Sequence, residues 1–191
     1  MSRVLVTGGA GTIGSAVVRR LLADPDFDVR VADRKAAPQW MRESCEFHGG
    51  DLRELERAAA AVRGCRHVIH LASPAEDPPG ADYSLITASA ALDSAVLRAA
   101  IDHRVERLVY VSCASAHVPD EHPAGGEARP SEHPRPCSAR GFAKLLGERL
   151  CHAARAEHGL SFAVYRPETS SPAKAEDLAA RIVAALSQPI G

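Results

Sequence analysis

The stretch Val4-Leu5-Val6-Thr7-Gly8-Gly9-Ala10-Gly11-Thr12-Ile13-Gly14 decides the fold of this 191-residue chain. An apolar strand runs into a glycine-spaced turn, and from Ile13 onward the apolar residues recur at helical spacing. Glycines at 8, 11 and 14 permit a tight turn, close backbone approach to a pyrophosphate, and close packing of the helix on the strand. The free amides at the helix start attract an anion. This is the layout of a dinucleotide phosphate site, with Gly8, Gly11, Thr12, Ile13 and Gly14 as its backbone cradle.

Outward from this turn, short apolar runs alternate with amphipathic ones. Residues 3–7, 28–33, 45–48, 67–71, 107–112 and 161–166 read as strands, and residues 13–23, 53–62, 82–103, 138–158 and 174–187 carry apolar residues at helical spacing. Such alternation implies right-handed parallel crossovers. The expected fold is a single α/β domain over residues 1–191: a doubly wound parallel sheet of the Rossmann type with about six strands, and a ligand outside the carboxyl ends of those strands. Residues 117–136 break the rhythm with five prolines and two adjacent glycines. Proline there argues against a regular helix or central strand, and a long loop in a compact domain is either functional or mobile.

Composition narrows the partners. With 46% hydrophobic and 25% charged residues and a formal charge of −1, the chain has ordinary globular character and no electrostatic case for nucleic acid or an anionic membrane. No run is expected to reach the roughly 18 apolar residues of a membrane span, and the N-terminus lacks a signal sequence's layout, which points to the cytoplasm. Cys45, Cys65, Cys113, Cys137 and Cys151 are odd in number and contain no C-x-x-C pair. They read as reduced thiols rather than a disulfide framework or zinc site. His117, His122 and His133 are not spaced as metal ligands on one helical face, so no metal is expected.

The pattern resembles the extended short-chain dehydrogenase/reductases, the NAD-dependent epimerase/dehydratase group. The likeness covers nearly the whole chain: Thr7 to Gly14, the acidic strand end at Asp33, Asp51-Leu52, Leu71-Ala72-Ser73, Val109-Tyr110-Val111-Ser112, Ser131 to Pro136, and Lys144-Leu145-Leu146-Gly147-Glu148. A carboxylate at Asp33, about twenty residues past the turn, accepts hydrogen bonds from the adenosine ribose and repels a 2′-phosphate. That favours NAD over NADP, although Arg34 and Lys35 could neutralise a phosphate instead. Asp51 resembles the residue that meets the adenine amino group; its ordinary alternative is a helix N-cap for residues 53–62. Leu71, Ala72 and Ser73 would pass beside the cofactor, and Ser89 stands where the family's long fourth helix faces it. The resemblance also implies a homodimer through helices 82–103 and 138–158, acting on a small-molecule substrate.

The catalytic half departs from the family. A tyrosine and a lysine four residues later normally share one helix face, the tyrosine exchanging a proton with a substrate hydroxyl while hydride moves to or from the nicotinamide. Here Lys144 is in register, but the residue four before it is Arg140, which stays protonated at any physiological pH. The family's hydroxyl partner is replaced by Ala114. Ser112 and Ser115 bracket it, and strand alternation is expected to turn an adjacent residue to the opposite face. The resemblance also implies that the substrate lobe is largely absent, because Glu176-Asp177-Leu178-Ala179 follows Tyr165-Arg166-Pro167 within ten residues.

Two functions follow as expectations. One is an atypical NAD-dependent oxidoreductase, epimerase or non-redox lyase or cyclase in which Lys144, Arg140, Ser112, Ser115, Cys113 or His117 replaces the tyrosine. Cys113 reads as strand-borne and buried, hence a core thiol rather than a nucleophile. The other is an inactive dinucleotide sensor or auxiliary subunit. Arg140 could also bind a carboxylate or stabilise an oxyanion.

Overall fold

The computed structural model describes residues 1–74, 82–116, 134, 136, 138–167 and 172–187. Six strands, β1 (Ser2–Thr7), β2 (Phe27–Asp33), β3 (Glu46–Gly49), β4 (His67–His70), β5 (Arg107–Val111) and β6 (Phe162–Tyr165), form one sheet in the order β3-β2-β1-β4-β5-β6. Every neighbouring pair is parallel. The helices are α1 (Thr12–Leu22), α2 (Gln39–Ser44), α3 (Leu55–Val62), α4 (Asp82–Asp102), α5 (Ala139–His158) and α6 (Pro172–Ala184). The doubly wound expectation holds. The Pro-rich stretch 117–136 lies outside the described residues apart from Pro134 and Pro136.

Strand alternation divides the core. Val4 and Val6 of β1 join Val17 and Leu21 of α1 and Ile182 of α6 on one face. Leu5, between them, points the other way and joins Val62 of α3 and Val96 of α4. Both faces are therefore apolar and covered, which is why the strands read as continuous hydrophobic runs.

Four details differ from the sequence reading. Helix α2 was not expected; it is short, follows Pro38 at its N-cap and buries only Met41, too little periodicity to register. Helix α3 starts at Leu55 with Glu54 as N-cap, so Asp51 does not cap it. Strand β5 ends at Val111, and Ala114–Ala116 form a 3-10 turn. Finally, Tyr83–Asp102 is long and apolar enough to cross a membrane by length and composition, contrary to expectation. Half of that stretch is buried, with α4 packed against α3 and α5, as a core helix covering a sheet must be.

Chain order reverses between β1, which leads to β2 and β3 on one side, and β4, which leads to β5 and β6 on the other. A crevice opens outside the strand ends at such a switch point. The glycine turn and residues 71–74 form its two lips.

Candidate functional site

Steric demands explain two of the three glycines. Gly8 has φ +70, and a Cβ there would come within 2.7 Å of the Ala72 amide nitrogen, so the turn after β1 lies directly on the backbone that leaves β4. A Cβ on Gly14 would overlap the Gly8 carbonyl oxygen. That glycine lets the first turn of α1 rest on the loop that precedes it. At Gly11 the demand is milder, since its Cβ would meet only the Gly8 oxygen at 3.2 Å. Gly11 is also the N-cap of α1, and no side chain caps the helix. The amides of its first turn are left for an anion.

Two cavities, of about 220 and 720 Å³, share Gly8, Gly11, Lys35, Leu71, Ser73 and Arg140 and form one cleft. The smaller holds Asp33, Arg34, Asp51, Leu52 and Ala72. The Asp33 carboxylate accepts the Ala10 N–H at 2.9 Å and the Lys35 N–H at 2.9 Å, one on each oxygen. It therefore fixes the turn, and each oxygen keeps a lone pair for a ligand hydroxyl. Asp51 accepts from the Arg53 guanidinium at 2.6 Å and from the Arg53 amide at 3.0 Å, with Arg34 3.9 Å away. The Arg53 hydrogen bond is the main cause that holds its carboxyl below the usual range. This carboxylate organises the turn before α3 instead of capping the helix.

Thr12, Ile13 and Gly14 line the larger cavity, together with Ser112, Cys113, Ala114, Ser115, Arg140 and Lys144. Strand alternation does not separate Ser112 from Ser115, because both lie beyond β5 in an irregular segment and a 3-10 turn. Cys113 is likewise not strand-borne: it is half-buried and its Sγ lies 3.0 Å from Ser115 Oγ. Ser112 is 4% exposed, and its Oγ has no hydrogen-bond partner among the described residues. The 3-10 turn docks on the start of α5, where a Cβ on Gly141 would overlap the Ser115 carbonyl. Ser138 caps that helix by accepting the Gly141 N–H. Arg140 and Lys144 follow one turn apart on the same face.

Lys144 is 8% exposed. Its Nζ sits 4.9 Å from the centroid of the Tyr110 ring, a cation–π arrangement. Burial lowers its pKa, and Arg140 lowers it further, against the opposing pull of Asp93 and Cys113. Ser89 is buried in α4 and lines neither cavity, whereas Leu92, one turn on, lines the smaller. His117 lies outside the described residues.

The sequence reading missed a buried polar chain beneath this floor. The Ala72 N–H donates to Thr7 Oγ1 at 3.1 Å, Thr7 Oγ1 lies 2.6 Å from His70 Nδ1, and His70 Nε2 lies 3.0 Å from Asp93 Oδ1. Tyr110 donates its hydroxyl to Asp93 Oδ2 at 2.8 Å. One assignment that satisfies these groups has Thr7 O–H donating to Nδ1 and the imidazole donating Nε2–H to the carboxylate. Burial and Asp93 push the Tyr110 pKa well up, so its proton stays. Gly147 on α5 admits this pair, since a Cβ would overlap the Tyr110 hydroxyl and an Asp93 oxygen. The chain ties the lip at Ala72 to the floor under Lys144. Its signal in the sequence was a histidine in the apolar run 67–71 and an aspartate inside an apolar helix.

Among the described residues no group of three or more His, Cys, Asp or Glu could hold a metal ion. The fold and the cleft together point to dinucleotide chemistry, and the family model for NAD dependent epimerase/dehydratases matches residues 4–189. The chain belongs to that family.

The proteins that the chain resembles include dehydrogenases, reductases and epimerases. The chain is 30% identical over 170 residues to the L-arabinose 1-dehydrogenase (NAD(P)(+)) of Haloferax volcanii, covering 84% of this chain and 64% of that one. It is 31% identical over 128 residues to the vestitone reductase of Medicago sativa, covering 60% and 39%. Among solved structures, the UDP-glucose 4-epimerase of Thermus thermophilus in complex with NAD superposes with a TM-score of 0.67 at 31% identity, over 85% of this chain and 53% of that one. The chain thus spans between 39% and 64% of the length of these relatives. Gly8, Gly11, Asp33, Asp51, Ala114, Arg140 and Lys144 all line this one cleft.

Proposed function

We propose that this chain binds NAD and forms the cofactor-holding part of a dehydrogenase- or epimerase-type enzyme acting on a small substrate, with Lys144 handling the proton that a tyrosine handles elsewhere in the family. The observation that carries the reading is the continuity of the cleft, which runs from Asp33 across the uncapped start of α1 to Lys144. NAD, when bound, supplies the hydride acceptor. The α1 amides would hold the pyrophosphate and Asp33 the ribose hydroxyls, with Leu71 and Ser73 lining the cleft towards Lys144. NAD is favoured over NADP because the Asp33 carboxylate faces the cleft and Arg34 leans towards Asp51.

Lys144 suits proton transfer because burial already weakens its hold on the proton. Ser112 Oγ, without a partner among the described residues, supplies a second hydroxyl at the same floor. A dimer through helices 82–103 and 138–158 completes the reading.

Ala114 and Arg140 favour a second reading, a dinucleotide sensor or auxiliary subunit without turnover. Calorimetric titration with NAD(H) and NADP(H), followed by hydride-transfer assays on sugar nucleotides, alcohols and ketones, separates the two. Turnover lost in Lys144→Ala while NAD still binds supports the enzyme. Tight NAD binding with no turnover on any substrate supports the sensor, and no nucleotide binding at millimolar levels defeats both.

A further inference from the structure

The two halves of the cleft differ in charge. The smaller cavity sets Asp33 and Asp51 against its cations, but the described lining of the larger cavity carries Lys35, Arg140 and Lys144 and no carboxylate. Among the described residues, the acids Asp93 and Glu148 are committed behind the floor. Asp93 accepts from His70 and Tyr110, and Glu148 is held by Arg166 in a two-bond pair at 2.9 and 2.8 Å. The pyrophosphate of a dinucleotide is met by backbone amides at the start of α1, so it does not account for two cations at the α5 end. Arg140 and Lys144 stand four residues apart on one helix, where like charges repel. An anion between them relieves that repulsion.

We infer that Arg140 is the carboxylate-binding residue of this cleft and that the substrate is a small carboxylate seated between Arg140 and Lys144. The inference rests on the reading of the cleft as a cofactor-plus-substrate site and names the substrate class. A guanidinium matches a carboxylate with two parallel N–H donors, a geometry an ammonium cannot offer. Arg140 already has an interaction within the chain, and its guanidinium carries five N–H donors. The unpartnered Ser112 Oγ and the Ser115 hydroxyl border the same space and suit a substrate hydroxyl or carbonyl beside the carboxylate.

Two matched pairs of probes differ in charge and little else: lactate against lactamide, and glucuronate against glucuronamide. Each is titrated calorimetrically into the protein with NAD saturation verified beforehand. The expected result is that the carboxylate of at least one pair binds at least about tenfold more tightly than its amide. Arg140→Gln and Arg140→Met should bring that preference below about twofold, and either variant serves if the other fails to fold. Equal binding of acid and amide, no binding of any probe, or a preference that persists in the variants overturns the inference. Failure of NAD to bind is read in the first titration and defeats the cofactor reading by itself. The same acid-amide comparison on the free protein then still decides the role of Arg140.

Discussion

Gly14 has no space for a side chain, because the first turn of α1 rests on the carbonyl of Gly8. Gly14→Ala must therefore lift the helix from the turn proposed to hold the pyrophosphate. We expect NAD affinity to fall at least about tenfold, or about 1.4 kcal/mol, in a calorimetric titration; unchanged affinity would show that the turn can relax. Lys144 makes the opposite demand on the protein. Its folded pKa lies below the ordinary lysine value of 10.5, chiefly through burial, so its charge destabilises the fold fully below the folded pKa. The penalty shrinks as pH rises towards 10.5 and then vanishes. Lys144→Met should accordingly raise the unfolding free energy at neutral pH, with the gain over wild type lost in urea titrations above the ordinary lysine range. A variant less stable than wild type at neutral pH would mean that the contact with Tyr110 outweighs the burial cost.

Helix α5 is the element on which the site depends. Its N-terminus is fixed by Ser138 and by the close approach of Gly141 to Ser115, its middle by Gly147 over Tyr110 and Asp93, and its C-terminus by Gly159 at φ +71. Glu148 adds the two-bond pair with Arg166, both residues being buried. Breaking a buried ion pair on one side strands the other charge and costs about 3–5 kcal/mol. Glu148→Ala should lose about that much stability by chemical denaturation, and a loss below about 1 kcal/mol would place the pair effectively in solvent. Because α5 also carries Arg140 and Lys144, the variant should weaken ligand binding as well.

Across the molecule the parallel sheet is covered on both faces, and the large apolar side chains exposed among the described residues are Met1, Leu22, Leu55, Tyr83 and Phe142. Tyr83 on α4 is 87% exposed and Phe142 on α5 is 48% exposed, and large exposed apolar groups are enriched where a second chain docks. A homodimer through these two helices is the expected assembly. Sedimentation at micromolar concentration should return twice the 20.2 kDa chain mass, and Tyr83→Glu should shift it to monomer. A monomeric wild type at that concentration would remove this expectation.

Much of the fold could be read from the residues. Short apolar runs and 3.6-residue patterns identify six strands and five of the six helices, because both reflect which side chains meet the core. Glycine spacing located the tight turn after β1, since the need for absent side chains is local and written into the chain. Arg140 and Ala114 led, by residue type alone, to the expectation of a changed chemistry. Tertiary structure decided what depends on distant segments meeting. Ser112 and Ser115 share one cavity because β5 ends a residue early, and Asp51 serves the turn before α3 because that helix starts late. Thr7, His70, Asp93 and Tyr110 come from four separate elements. No local period marks them as one hydrogen-bonded chain, because a buried polar group reveals its partner only when the fold brings the partner to it.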